Sequence, residues 1–178
     1  MLRKISLAIF VLLLLTVSSF AQLKEKDNLL GPSLGFWPHG SAITLGVNYE
    51  YQLSQVEIGT ISLGGLFRYT SWRNNFPEND YFDYTFITFG FQSNYNFNQI
   101  GEGKFVPFVG LVLGYNSINA SYVSTHGIIY NASYNSGFWV WAQGGLRYFF
   151  SPRVAGVVRI GLGNFDFDAI EIGVDFKL

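Results

Sequence analysis

The C-terminal stretch IEIGVDFKL, residues 170–178, decides the fold of this chain. Its apolar residues alternate without a break with Glu171, Gly173, Asp175 and Lys177. A period of two predicts a β-strand with one apolar and one polar face. The same alternation recurs upstream in ITLGVNYEYQL at 43–53, so we expect a chain of amphipathic strands.

Eight such strands are predicted, an even number as in bacterial single-chain barrels. We place them at 30–37, 42–53, 56–70, 83–97, 105–117, 137–150, 154–163 and 168–178. Short turns are expected at 54–55, 98–104 and 151–153, on the periplasmic side. The longer polar segments 71–82 and 118–136 are expected to be external loops. The predicted fold class is all-β: an eight-stranded antiparallel up-and-down transmembrane β-barrel.

The first 21 residues have the organisation of a secretory signal peptide. Arg3 and Lys4 precede an uncharged apolar run, and Ser19 and Ala21 supply the small residues of a cleavage site. The apolar run, 5–17, is shorter than the roughly 20 residues that a membrane-spanning helix needs. We therefore predict a signal peptide at 1–21, cleaved after Ala21, and a barrel at 22–178 in the outer membrane of a Gram-negative bacterium.

The composition does not suit a soluble domain. Charged residues are 13% of the chain, against about 25% in ordinary soluble domains, and aromatic residues are 19%. Only helices and closed barrels satisfy every backbone group within lipid, and no later apolar run approaches the length of a spanning helix. The absence of cysteine excludes disulfides and thiolate chemistry. No basic patch indicates nucleic acid, and no motif indicates a cofactor, a metal or a catalytic residue.

The polar face of the strands suits the lumen of a narrow barrel, because it is rich in glycine and serine. A soluble ligand-binding barrel would instead turn its apolar face inward. Arg68, Arg147 and Arg159 all fall on the polar face. An arginine facing lipid near the midplane would cost about 2–4 kcal/mol. Glu57 shares the parity of apolar Ile61, so a bulge or a start at the membrane interface is expected for the third strand.

Two sets of side chains are predicted to have structural roles. The first is a charge network in the lumen that neutralises itself, although a gate or a narrow ion path would use the same residues: Glu50, Arg68, Arg147, Arg159, Glu171, Asp175 and Lys177. The second is an aromatic girdle at the two membrane interfaces: Trp37, Trp72, Trp139, Trp141, Tyr49, Tyr51, Tyr148 and Phe176.

The chain resembles the small outer-membrane barrel proteins of the OmpA transmembrane-domain and OmpX type, often called porin-family proteins. The resemblance is carried by the signal peptide, by glycine–aromatic alternation, by GLRYFFSPR at 145–153 and by the terminal strand. It implies insertion by the barrel-assembly machinery through the C-terminal strand. The chain ends in Leu178 where that family usually has an aromatic residue, but the apolar phase is kept.

These observations favour a non-enzymatic outer-membrane barrel whose segments 71–82 and 118–136 have a structural or surface-interaction role. The expected partners are outer-membrane lipid, lipopolysaccharide and an extracellular ligand. A small porin-like channel is the alternative. Behind it we rank a lipid-modifying enzyme, for which only His39 and Ser41 are candidates, and a soluble ligand-binding barrel.

Overall fold

The computed structural model describes residues 23–36, 42–76, 80–98, 104–124, 129–133, 136–163 and 170–178. The described part is built of nine antiparallel strands. They are β1 (Asn28–Phe36), β2 (Ile43–Val56), β3 (Gly59–Asn75), β4 (Tyr81–Asn96), β5 (Phe105–Val123), β6 (Ile129–Ser133), β7 (Gly137–Ser151), β8 (Val154–Gly163) and β9 (Ile170–Lys177). No helix in these ranges is long and apolar enough to cross a membrane.

Eight of these strands close into a barrel, which confirms the predicted fold class. The order is β4-β3-β2-β1-β9-β8-β7-β5, and pairing of β4 with β5 closes the ring. The ninth strand, β6, pairs with the last residues of β5, beyond the segment of β5 that pairs with β7. We call the end of the barrel that carries the β2–β3 and β7–β8 turns the turn end, and the opposite end the raised end.

The turn between β2 and β3 does not lie at 54–55 as predicted. β2 continues to Val56, and the turn consists of Glu57 and Ile58. The register between the two strands shifts at Leu53, so the expected bulge lies on β2 rather than at the start of β3. Glu57 has a φ of 48° and completes this tight reversal.

The segments 71–82 and 118–136 are mostly strand rather than loop. β3 continues to Asn75 and β4 begins at Tyr81, while β5 continues to Val123 and pairs with β6. Their polar residues indicate exposure to water, which does not prevent a β ladder from continuing. We call 71–75, 81–85, 119–123 and 129–133 the raised sheet. Five residues at about 3.3 Å each carry it roughly 17 Å beyond the rest of the barrel.

Candidate functional site: the closed lumen

The alternation of side chains along each strand determines which of them point into the lumen. Along β7 every second residue from Trp139 to Phe149 points inward, and Arg147 is completely buried. Glycines on this face make room for larger neighbours. A Cβ at Gly114 would lie 2.7 Å from Cζ2 of Trp139, so only glycine accommodates that ring.

The charge network in the lumen has two halves. The half nearer the turn end is centred on Arg147. Arg147 donates to the carboxylate of Glu50, its Nε lies 2.7 Å from Oδ2 of Asp175, and its Nη1 donates to Asn96. All four side chains are buried. Two carboxylates and one guanidinium leave this group with one excess negative charge.

Glu171 is the centre of the other half. Arg68 binds it with two parallel hydrogen bonds, from Nε at 2.5 Å and from Nη2 at 2.7 Å. Arg159 reaches the same carboxylate at 3.1 Å, and its Nη2 lies 4.0 Å from Oε1 of Glu50. The two halves therefore form one network with three arginines and three carboxylates, and its formal charges cancel.

Phe108 supports this network in a way that the sequence analysis did not identify. The guanidinium of Arg147 lies 4.3 Å from the centre of the Phe108 ring, and that of Arg159 lies 5.5 Å away. Both distances fall within cation–π range. The β5 alternation that buries Val106, Phe108 and Val112 could have revealed its inward position.

Lys177 was predicted to join the network, but it lies at the edge of the turn end. Its Nζ is 2.5 Å from Oδ2 of Asp27, and both side chains remain partly exposed. Lys177 shares the parity of Asp175, but it is the last residue of β9. At that position an inward side chain reaches the rim rather than the lumen.

Amide and hydroxyl side chains fill the space around the charges. Gln143 donates to Gln92 at 2.9 Å and to Asn94 at 2.7 Å, and Thr60 donates to Gln52 at 2.7 Å. Among the described residues a few buried polar atoms have no hydrogen-bond partner, including Nε2 of Gln52 and both Nε and Nη2 of Arg159. Such groups ordinarily bind internal water.

A cluster of buried apolar side chains lies at each end of this polar chamber. At the turn end, Leu23 packs with Leu29, Val106, Phe149 and Ala155. Leu23 is held there because its carbonyl accepts a hydrogen bond from Nδ2 of Asn98, and because residues 26 and 27 bond to the backbone of Gln52. Toward the raised end, the second cluster consists of Leu66, Val112, Trp139 and Trp141.

Two tryptophans assigned to the aromatic girdle therefore lie inside the barrel. Trp139 and Trp141 are 4% and 6% exposed, and their rings are 4.3 Å apart. The assignment to the girdle was wrong for both, because they share the parity of Arg147 on β7. Trp72 also has inward parity, above the barrel, where it stacks on Tyr84 and Phe86.

The other girdle residues lie as follows. Tyr49, Tyr51, Tyr148 and Phe176 are at outward positions near the turn end, and the hydroxyl of Tyr49 donates to Asn28 at 2.6 Å. Trp37, His39 and Ser41 lie outside the described residues. No group of three or more potential metal ligands occurs in the described ranges.

The raised sheet carries one exposed ion pair. Arg73 binds Asp83 through two hydrogen bonds of 2.6 and 2.9 Å and lies 3.9 Å from the ring centre of Tyr81. The hydrogen bonds to Asp83 raise the pKa of the Arg73 guanidinium above its usual value. The opposite charges of Arg73 and Asp83 therefore cancel on this surface.

Solved structures with this fold include several small outer-membrane barrels. The N-terminal barrel domain of OprF from Pseudomonas aeruginosa matches with a TM-score of 0.58 and 12% identity, over 88% of this chain and 100% of that one. Ail from Yersinia pestis matches with a TM-score of 0.54 and 12% identity, over 88% and 100%. Neisserial surface protein A matches with a TM-score of 0.52 and 13% identity, over 85% and 95%.

The fold and the filled lumen define the class of this protein. It has the architecture of the small outer-membrane eight-stranded β-barrels, as the resemblance to OmpA-type and OmpX-type proteins predicted. No protein-family model and no curated protein sequence matches the chain.

Proposed function

We propose that this protein is a non-enzymatic integral outer-membrane barrel with a closed lumen, which contacts extracellular partners through the raised sheet. The observation that carries the proposal is the filled interior. A neutral network of buried ion pairs lies between two apolar clusters. An eight-stranded barrel is only wide enough for its own side chains.

The outer wall supports a membrane location. Between the two ends of the barrel, the described outward positions carry no charged residue, and most of their large side chains are strongly exposed. Phe91 is 80% exposed, Phe138 74% and Leu162 63%. Water would strongly disfavour so large a continuous apolar surface, whereas hydrocarbon solvates it. The polar interior and apolar exterior oppose a soluble ligand-binding barrel, which has the reverse arrangement.

The orientation follows from the predicted signal peptide, residues 1–21. Export across the inner membrane followed by insertion through the C-terminal strand would leave the turn end in the periplasm. The raised end would then lie outside the cell, near lipopolysaccharide. Assembly by the barrel-assembly machinery is part of this proposal and rests on the resemblance of the terminal strand.

The raised sheet is the surface best placed to meet a partner. One neighbour, Ail, has been solved with the heparin analogue sucrose octasulfate. A polyanion of that kind requires cationic groups that are not already neutralised. Arg73 is paired with Asp83 on the outer face of the raised sheet, while the inner face is aromatic, with Trp72, Phe82 and Tyr84. We therefore favour an uncharged or weakly charged partner for this protein.

The porin-like channel is the second candidate. Polar side chains do line the lumen, but ions would also have to pass the apolar clusters at both ends. A lipid-modifying enzyme is the third candidate, and the two residues proposed for it, His39 and Ser41, lie outside the described residues.

Two measurements test the proposal. Membrane fractionation should place the chain in the outer-membrane fraction, where the folded protein should migrate differently on a gel when it is not boiled. Recovery in the soluble periplasm without detergent would refute the membrane location. Purified protein in planar bilayers should show no discrete openings while an open porin in the same apparatus conducts. Reproducible unitary openings would refute the closed lumen and favour the channel.

A further inference from the structure

The outer wall of the barrel is interrupted by a groove across β2, β3, β4 and β5. Its volume is about 570 Å³. Its floor is the backbone of three neighbouring strands at Gly65, Gly90 and Gly114, of which Gly90 and Gly114 point into the lumen. Gly65 points outward between Tyr49 and Phe91, its partners on the two adjacent strands. The groove exists because this one outward position has no side chain.

The groove has an aromatic wall. Val47, Phe67, Phe89, Tyr115 and Phe138 are directly opposed from strand to strand, so they form a continuous row on the outer surface. The rings within the row contact each other: Phe67 and Phe89 lie 5.1 Å apart, and Tyr115 and Phe138 lie 5.3 Å apart. Neighbouring rings restrict one another, so this wall is stiffer than an aliphatic one.

The dimensions of the groove fit an extended hydrocarbon chain. Four inter-strand spacings of about 4.8 Å give the row a length of roughly 19 Å. Strands in such barrels tilt by about 35–45°, so the row runs obliquely through the membrane. One leaflet contributes about 15 Å, half of the hydrocarbon thickness of about 30 Å. The upper end lies at Phe138, the second residue of β7 at the raised end.

We infer that this groove binds one saturated acyl chain of an outer-leaflet lipid. The inference rests on the proposed membrane location, because only there is hydrocarbon the medium that covers this wall. Burial from water does not drive association within lipid, so close van der Waals packing has to supply the selectivity. The backbone floor exposed at Gly65 and a stiff aromatic wall give an acyl chain contacts on more than one side. A smooth wall contacts an acyl chain on one side only.

A second depression on the wall provides a comparison. It has a volume of about 530 Å³ and is lined by aliphatic residues and backbone, among them Leu34, Leu45 and Ile172. No aromatic side chain lines it. Because no ring stiffens that wall, we assign the ordered chain to the Gly65 groove alone.

The test fills the groove with a side chain. Gly65→Leu places branched carbons where the acyl chain would lie, and a Cβ at Gly65 has no contact closer than 3.6 Å. Gly144→Leu is the matched control. Gly144 also faces outward, a Cβ there has no contact closer than 3.7 Å, and it does not line the groove. Both variants are therefore expected to fold, which the gel shift of the unboiled protein checks.

The measurement is electron paramagnetic resonance of the full mature barrel in dipalmitoylphosphatidylcholine vesicles that contain a chain-spin-labelled phosphatidylcholine. We expect the wild type and Gly144→Leu to immobilise equal numbers of chains per barrel, and Gly65→Leu to immobilise one fewer. Equal immobilisation by all three folded proteins would refute the inference. So would a dimer of the wild type that Gly65→Leu dissociates, because a second copy would then occupy the groove. Failure of the membrane location would appear separately, as a protein that does not partition into the vesicles.

Discussion

At the scale of single residues, Glu171 is the most sensitive point of the lumen. Its carboxylate binds both Arg68 and Arg159 in a buried site. Glu171→Gln keeps the shape but leaves one uncompensated positive charge there. We expect a loss of about 3–5 kcal/mol in the free energy of unfolding, as is typical when one partner of a buried pair is removed. Urea titration of the protein in vesicles, followed by the gel shift, measures this loss.

Asp83→Asn is the control for that experiment. Asp83 also binds an arginine through two hydrogen bonds, but its pair with Arg73 is largely exposed. An exposed pair contributes far less than a buried one, because water screens its charges. If Glu171→Gln and Asp83→Asn lost similar free energies of unfolding, this result would contradict the difference in burial between the two ion pairs.

The lumen glycines are a second feature at this scale. Gly114→Ala would place a methyl group 2.7 Å from the ring of Trp139, on a strand where the backbone cannot move without breaking its ladder. Overpacking of this kind costs about 1–3 kcal/mol. Gly144→Ala, whose methyl group would point outward, should be neutral or slightly stabilising. Thermal unfolding of the two variants provides the comparison, and equal midpoints would contradict the close packing on Trp139.

At the scale of the strand, polarity reverses where the barrel gives way to the raised sheet. Within the barrel, outward residues of β5 such as Leu111 and Leu113 are apolar and inward ones such as Asn116 are polar. In the raised sheet the outward residue Asn119 is polar, and inward Tyr122 lies 4.8 Å from Phe82. The reversal marks the level at which water replaces lipid outside the strands.

This boundary can be located by chemical labelling, because the chain has no cysteine of its own. We expect Asn119→Cys on intact cells to react with a membrane-impermeant maleimide. Leu111→Cys, eight residues away on the same face of the same strand, should be protected by lipid. Labelling of both positions, or of neither, would place the boundary elsewhere.

Strand periodicity predicted the barrel well and the ends of its strands poorly. The alternation that placed Arg68, Arg147 and Arg159 on the polar face agrees with their burial. The same alternation puts Trp139 and Trp141 on that face, whereas their position near a strand end favours a girdle. Parity is the stronger physical constraint, because a strand cannot turn one side chain outward without a bulge.

Other features had no signal in the sequence pattern. The continuation of β3 and β5 beyond the membrane depends on pairing between polar residues, which hydropathy does not detect. The position of Leu23 depends on tertiary contacts with the turn residue Asn98 and with Gln52 of β2, which are remote in the sequence. The Gly65 groove arises from the register between neighbouring strands. The sequence of a single strand does not reveal that register.

At the scale of the whole molecule, the segment before β1 is part of the barrel and contributes to its stability. Leu23 is 2% exposed within the apolar cluster at the turn end. Leu23→Ala should therefore cost about 2–5 kcal/mol through a cavity in that cluster. Glu25→Ala, an exposed change in the same segment, should have little effect. Urea titration distinguishes the two, and no loss in Leu23→Ala would show that the segment does not hold its position in solution.

The pairing of β1 with β9 brings the last residues of the chain beside the first residues that the structure describes. The amide of Leu178 donates to the carbonyl of Asn28 at 3.0 Å, and Lys177 holds Asp27 beside it. A short glycine–serine linker could therefore join residue 178 to residue 23 of a mature barrel. New ends could be opened at the Glu57–Ile58 turn, since exposed turns are the sites where circular permutation succeeds. Such a permutant would begin at β3 and end at β2, and its assembly would show whether insertion depends on the terminal position of IEIGVDFKL or only on its strand sequence.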